Sequence, residues 1–382
     1  MRRLLVVAAG VLALPSVSPA TARACDRPTA RGPSALPASV VFRTRCGNYS
    51  LRPDGTVTAS APAPLTEAAL VAKTSRGHVV VVRRGRTVWR SRRLFHTKAS
   101  PDAVALGTNH VAFSFYNGRL WIARLGGAEH PVGRHELPLG WTRNEDLLAA
   151  RWDRHTTTVY RHGERGRTRL VSHIRSLAFD DSSATLLFVS ADGAIIRTDG
   201  RTATTLVSLA SLGIPRNVEL EPIGGGLIAL PGRDRLVVLS ADGSVFASSF
   251  FPGLERQQGR LGFVSWPVAG AAGVAFTVTE PDGSSSVGYE NVFLLRQGET
   301  AATRLLRIRA DYEGCGWYTT LAWHGDWLLY DASAVTTVVA LDSTGTHPAV
   351  DLTRFVRSLP GVVVDQTGEG LGFVDATWAV AA

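Results

Sequence analysis

An all-β fold assembled from repeated four-stranded sheets is what this 382-residue sequence predicts, and three observations predict it. From residue 40 onward the apolar residues fall in short runs rich in Val, Leu, Phe and Thr, with no sustained 3.6-residue period. Tight-turn dipeptides separate the runs: Asp54–Gly55, Asn117–Gly118, Asp192–Gly193, Asp242–Gly243 and Asp282–Gly283, on the expectation that both central residues take positive φ. The runs also recur. His78–Val79–Val80–Val81–Val82, a turn and Arg86–Thr87–Val88–Trp89 reappear 32 residues later as His110–Val111–Ala112–Phe113–Ser114, a turn and Arg119–Leu120–Trp121–Ile122. Further apolar landmarks begin near Leu147, Leu186, Leu227, Val274, Trp327 and Leu371, a mean spacing of about 42 residues. A repeat of that length holds about four strands, and such sheets bury their faces by stacking on one another. The expected architecture is a single β-propeller of seven or eight four-stranded blades. A pair of β-sandwiches and a lectin-like solenoid are the alternatives.

At the N-terminus, Met1–Arg2–Arg3 is basic, Leu4 to Leu14 is apolar, and Pro15 leads into small and polar residues ending in Ala22–Arg23–Ala24. That order is a secretory signal peptide, expected over residues 1–24 with cleavage after Ala24. The apolar run is too short to span a bilayer, which needs about 20 residues, so no transmembrane span is expected. A secreted or extracellular protein follows, with lipid anchoring at Cys25 as the alternative. Residues 25–40, with Pro28, Pro33 and Pro37, form an irregular lead-in, and the propeller domain fills 25–382.

Export makes a disulfide plausible. The three cysteines allow Cys25–Cys46, Cys25–Cys315 or Cys46–Cys315. Cys46 and Cys315 sit in similar settings, Cys-Gly-Asn-Tyr and Cys-Gly-Trp-Tyr, and their pairing is slightly favoured. No CxxC and no Cys/His cluster occurs, so no metal and no cofactor is expected.

Charge is local. Loss of Arg2, Arg3 and Arg23 with the leader takes the 41 basic residues to 38 against 32 acidic ones, a mature charge of +6. Nine of those 38 lie between Lys73 and Lys98, uninterrupted by Asp or Glu. A focused patch of this kind attracts an anionic partner, and arginine suits bidentate contacts to phosphate or carboxylate. Arg83, Arg84, Arg92 and Arg93 are therefore candidate ligand-binding residues. Arginine is also the default cation of this chain, which uses Lys only at 73 and 98.

One stretch carries a family resemblance. Leu177–Ala178–Phe179–Asp180–Asp181–Ser182–Ser183 through Leu186–Leu187–Phe188–Val189 to Asp192–Gly193 resembles the repeat of TolB-like and WD40-like propellers, as in a secreted actinobacterial repeat protein. Those repeats run from an aromatic–Ser–Pro–Asp–Gly turn through an apolar strand to an Asp-Gly hairpin. The turn here reads Asp-Asp-Ser-Ser. The resemblance implies architecture over about residues 70–380 and no particular activity. In such folds strands from both chain ends share one blade, which removes an exposed edge. Residues 370–380 are expected to supply inner strands, and Tyr49–Leu51 with Thr56–Thr58 outer ones.

For chemistry, the sequence holds no GxSxG elbow and no HExxH, P-loop or EF-hand pattern, so no catalytic residue is assigned. Between Asp311 and Asp331, Trp317, Tyr318, Trp323 and Trp327 interleave with carboxylates, as a carbohydrate-binding surface requires. Propeller cores also use such rings as filling. The expected function is a monomeric binding scaffold at the cell envelope or outside the cell. Its partner would be an anionic envelope polymer, a glycan or another protein, not nucleic acid. An extracellular hydrolase or lyase acting on carbohydrates or lactones is the alternative.

Overall fold

The computed structural model describes residues 31–379 except 61–69, 76, 84–85, 96–102, 116–117, 153–155, 233, 252–263, 282–286, 312–318, 333–335, 365–369 and 372. The expected signal peptide and Cys25 lie outside the described residues. The chain is a β-propeller of eight blades, seven four-stranded and one, the second, with three strands among the described residues. Its described residues divide into two compact units, one within 64–222 and the other within 31–60 and 223–379.

In the first unit the second blade comprises Leu70–Ser75, His78–Arg83 and Arg86–Arg90. The third comprises Ala103–Leu106, His110–Ser114, Arg119–Arg124 and His130–Arg134. The fourth holds Leu137–Trp141, Leu147–Trp152, Thr157–Gly163 and Gly166–Ile174, and the fifth holds Ser176–Asp180, Thr185–Val189, Ala194–Thr198 and Ala203–Ser208. In the second unit the sixth blade runs Glu221–Gly224, Leu227–Pro231, Arg235–Leu239 and Val245–Phe250. The seventh runs Val264–Gly270, Gly273–Pro281, Val287–Leu295 and Thr303–Asp311. The eighth runs Thr319–His324, Trp327–Ala332, Thr337–Asp342 and Val350–Asp351.

The first blade joins the chain ends. Phe373–Trp378 pairs antiparallel with Val40–Thr44, with Trp378 opposite Val40 and Ala376 opposite Phe42, and Gly47–Leu51 and Val57–Ser60 complete the sheet. The lead-in docks on it through Gly32 N–H to Gly55 O (3.0 Å) and Ala35 N–H to Pro53 O (3.2 Å). One expectation is corrected. Gly370–Leu371 is not in this blade; it pairs with Val363–Val364 in a two-stranded ribbon.

The apolar landmarks have a structural meaning. Those from Val79 to Trp327 all mark the second strand of a blade. Such a strand is apolar on both sides. In His110–Ser114, Val111 and Phe113 join the cluster of Val79, Val81, Trp89 and Trp121, while Ala112 joins that of Leu120, Leu147 and Ala149. Full burial of each Val, Leu or Phe contributes about 1.5–3 kcal/mol.

A second device repeats between first strands. The Trp141 indole N–H donates to Ala105 O (3.1 Å), that of Trp323 to Val268 O (3.3 Å), and that of Trp378 to Ala322 O (3.0 Å). Each ring lies over the first strand of the preceding blade. Trp323 covers Gly270, where a Cβ would stand 2.3 Å from the ring, and Phe179 covers Gly140 in the same way. The glycine is required because any side chain would occupy the ring's place.

The Asp-Gly turns form at the expected places but in a different geometry. At Asp54–Gly55, Asp192–Gly193 and Asp242–Gly243 only the glycine has positive φ (81°, 88° and 89°). Its N–H donates back to the residue three before it: Arg52, Ser190 or Ser240. These are type I turns ending in a left-handed glycine. Asp54 and Asp242 accept hydrogen bonds from the backbone and hydroxyl groups of Thr56 and Ser244. They are turn residues.

Candidate anion-binding pocket

The pocket lies within the first unit, where the third blade meets the fourth. The last strand of the third blade, His130–Arg134, contains Pro131, which has no N–H to give to a ladder. The register shifts there: Pro131 pairs with Trp121 but Gly133 with Leu120, so Val132 is an extra, bulged residue. After the bulge, Arg134 stands directly opposite Arg119, and both are exposed. His135 then takes a positive φ of 54° and donates its N–H to Gly118 O (3.0 Å), which turns Glu136 inward.

Glu136 is the anchor. Its residue exposure is 1%, and its carboxylate is held on both oxygens. Oε2 accepts from His162 Nε2 (2.7 Å) and Oε1 from Arg167 Nη2 (2.6 Å). A buried carboxylate is tolerable only when charge and hydrogen bonds compensate its lost hydration. Gly133 closes over it; a Cβ there would stand 2.8 Å from Glu136 Cδ.

The fourth blade supplies the facing wall. His162 pairs with Arg167 and Arg151 with Thr158, and strand alternation puts Thr158, Tyr160 and His162 on one face. Arg151, Tyr160, His162 and Arg167 therefore share that face. The Arg167 guanidinium lies 3.5 Å from the Tyr160 ring centroid and that of Arg151 lies 5.7 Å from it. Such stacking fixes a planar cation while leaving its edge N–H groups for other partners.

The result is an open depression of about 460 Å³ lined by Arg119, Pro131, Val132, Gly133, Arg134, Glu136, Arg151 and Arg167. Among the described residues four guanidinium groups and one carboxylate line it, and that carboxylate is already engaged. Arg119 opposite Arg134 is itself unfavourable, because like charges directly across a strand pair repel. An anion between them removes the repulsion.

A second feature lies where the eighth blade meets the first. Asp331 is 1% exposed; its Oδ2 accepts from Ala376 N–H (2.7 Å), and Oδ1 has no partner among the described residues. Burial, with Asp375 adding to it, pushes Asp331 up to about 7. Burial also raises Asp375, against the pull of Arg43 at 3.2 Å. Burial likewise raises the Glu290 carboxyl, although Tyr330 Oη donates to it at 2.7 Å and Thr319 Oγ1 at 2.9 Å. Among the described residues no group of three His, Cys, Asp or Glu could hold a metal ion.

The residues singled out from the sequence are dispersed. Arg84, Cys315, Trp317 and Tyr318 lie outside the described residues, and Arg83 ends the strand His78–Arg83. Arg92 and Arg93 are exposed, and both their backbone N–H groups donate to the Glu129 carboxylate, Arg92 at 2.9 Å. The Arg93 guanidinium lies 4.8 Å from the Trp121 ring centroid. Trp323 is the ring over Gly270, and Trp327 is half-buried against the core of the eighth and first blades. Cys46 is disulfide-bonded, and its partner, Cys25 or Cys315, lies outside the described residues. Sequence reasoning missed Arg119, Arg134, Arg151, Arg167 and Glu136. Forty-eight residues separate Arg119 from Arg167, and only the bulge and two registers bring them together.

No protein-family model matches the chain, and no curated protein matches it. Solved structures similar to it are propellers. Apo AztD from Citrobacter koseri shares 13% identity, covering 90% of this chain and 99% of that one, with a TM-score of 0.48. BamB from Moraxella catarrhalis shares 14% over 76% of this chain and 86% of that one, at 0.45. Sqt1 from Saccharomyces cerevisiae shares 12% over 75% and 83%, also at 0.45. The likeness is one of strand architecture and says nothing of a ligand. Among the described residues no helix is long and apolar enough to cross a membrane.

Proposed function

We propose that the chain is a β-propeller binding scaffold that holds an anionic ligand in the pocket of Arg119, Arg134, Arg151 and Arg167. One observation carries this reading: two exposed arginines stand directly opposite each other at the mouth of a pocket whose one carboxylate among the described residues is already held by His162 and Arg167. The basic leader and apolar run of residues 1–24 support export, which puts the scaffold at the cell envelope or outside the cell. Its partner there is an anionic envelope polymer. The test is co-sedimentation of the mature protein with purified envelope fractions at low and physiological salt, beside an Arg119→Ala/Arg134→Ala variant. Salt-sensitive binding that the variant loses is the expected result; binding that the variant keeps refutes the pocket's role.

Asp331 supports a second reading, an extracellular hydrolase or lyase. A buried carboxyl raised to about 7, with one oxygen unengaged among the described residues, keeps the proton that a general acid has to deliver. A screen of glycosides and lactones with the wild type and Asp331→Asn tests it; activity that the variant retains excludes that role.

A further inference from the structure

We infer that the anion of this pocket is a phosphomonoester dianion gripped between the opposed guanidinium groups of Arg119 and Arg134, with Arg151 beside them; this rests on the anion-binding reading above. Charge is the first argument. The Glu136 carboxylate is engaged by Arg167 and His162, and Arg119 and Arg134 bring two further positive charges to the mouth of the depression. A carboxylate ligand brings one negative charge, a phosphodiester also one, and a phosphomonoester close to two.

Oxygen count is the second argument. Glu136 shows in place what one carboxylate can serve: its two oxygens are taken by one arginine and one histidine. Residues directly opposite on paired strands have Cβ atoms about 4.5–5.5 Å apart, so Arg119 and Arg134 reach a common group from either side. A carboxylate has two coplanar oxygens, enough for one guanidinium fork. A phosphomonoester has three terminal oxygens on a tetrahedral centre, which gives each of two opposed forks its own edge. The two edges share one of the three oxygens, and that shared oxygen lies toward the remaining wall, where Arg151 is held against Tyr160.

Space is the third argument. A volume of about 460 Å³ exceeds a phosphoryl group several-fold, so the fourth oxygen can carry its ester substituent past Pro131 and Val132 to the open side. A small phosphate ester and the phosphorylated end of a glycan share this chemistry.

The experiment is isothermal titration of the full mature chain at pH 8 with methyl phosphate, dimethyl phosphate, acetate and glucose 1-phosphate. All four titrations share one pH, so only ligand charge and oxygen count change. Methyl phosphate should bind at least tenfold more tightly than dimethyl phosphate or acetate, and Arg119→Ala and Arg134→Ala should each remove that margin. Glucose 1-phosphate binding well above methyl phosphate identifies a sugar phosphate as the source; equal binding identifies a small ester. Dimethyl phosphate or acetate within threefold of methyl phosphate overturns the monoester assignment and leaves the anion pocket standing. If no probe binds and envelope binding ignores both alanine variants, the anion pocket itself is refuted. Both arginines are exposed, so the variants should keep the wild-type circular dichroism; if one does not, Arg134→Gln repeats the comparison.

Discussion

Arg119 and Arg134 stand directly across from each other on antiparallel strands, one residue beyond a bulge that starts at Pro131. A cross-strand pair of like charges costs up to about 1 kcal/mol in isolation. Replacing either with Ala should leave the unfolding midpoint unchanged or slightly raised in ligand-free protein, and should weaken anion binding tenfold or more. Thermal unfolding with and without ligand reads both effects. A destabilised variant would mean that the pair serves the fold instead.

Glu136 is the converse case. Glu136→Ala leaves His162 and Arg167 facing a buried space without their counter-charge, and the expected loss is about 2–3 kcal/mol of stability. Gly133→Ala drives a Cβ into the same carboxylate and should cost about 1–3 kcal/mol. Urea denaturation measures both. A neutral Gly133→Ala would show that the carboxylate moves freely, against its role as the pocket's anchor.

Asp331 makes stability depend on pH with a definite sign. Its carboxyl titrates near 7 in the folded chain and near 3.8 when unfolded, so between those values the folded state binds more protons. Stability should therefore fall as pH rises from about 4 to about 7 and level off above, by an amount on the order of a few kcal/mol. Asp331→Asn should flatten this part of the profile and raise stability at pH 8. A variant less stable than wild type at pH 8 would contradict the sign.

The ring over Gly270 is a structural element. Trp323→Ala removes an indole packed on the neighbouring blade and its hydrogen bond to Val268 O, at an expected cost of about 3–5 kcal/mol. Glycan binding, if measured, should change only in proportion to unfolded protein. A stable variant that loses a sugar ligand would restore the carbohydrate-surface reading of Trp323.

The disulfide of Cys46 gives a further test. Reduction should lower the unfolding midpoint, by about 2–5 kcal/mol in stability. Non-reducing peptide mapping should find Cys46 joined to Cys315, the pairing that the similar Cys-Gly-Asn-Tyr and Cys-Gly-Trp-Tyr settings favour. A Cys25–Cys46 bridge would replace it.

Much of the fold was legible because the second strand of each blade is buried on both faces. Burial of that kind writes an uninterrupted apolar run into the sequence, as at Val79–Val82 or Leu186–Val189. One exception is informative: Val40–Thr44, the second strand of the first blade, reads Val-Val-Phe-Arg-Thr, and Arg43 breaks the run where it pairs with Asp375. Leu371 was apolar without being a blade strand. The pocket was far less legible. Its arginines sit singly along the strands, three exposed and Arg151 half-buried, and one-residue differences in register decide which of them converge. The dense basic run at 73–98 was conspicuous in sequence. In space the backbone of its Arg92 and Arg93 is already bonded to Glu129.

The measurement closest to the central claim sets two double variants side by side: Arg119→Ala/Arg134→Ala in the pocket and Arg92→Ala/Arg93→Ala in the basic run. Each is sedimented with purified envelope fractions at low and physiological salt. Binding lost in the first and kept in the second is the expected result. Binding lost only in the second would move the anion site from the pocket to the basic run and contradict the account.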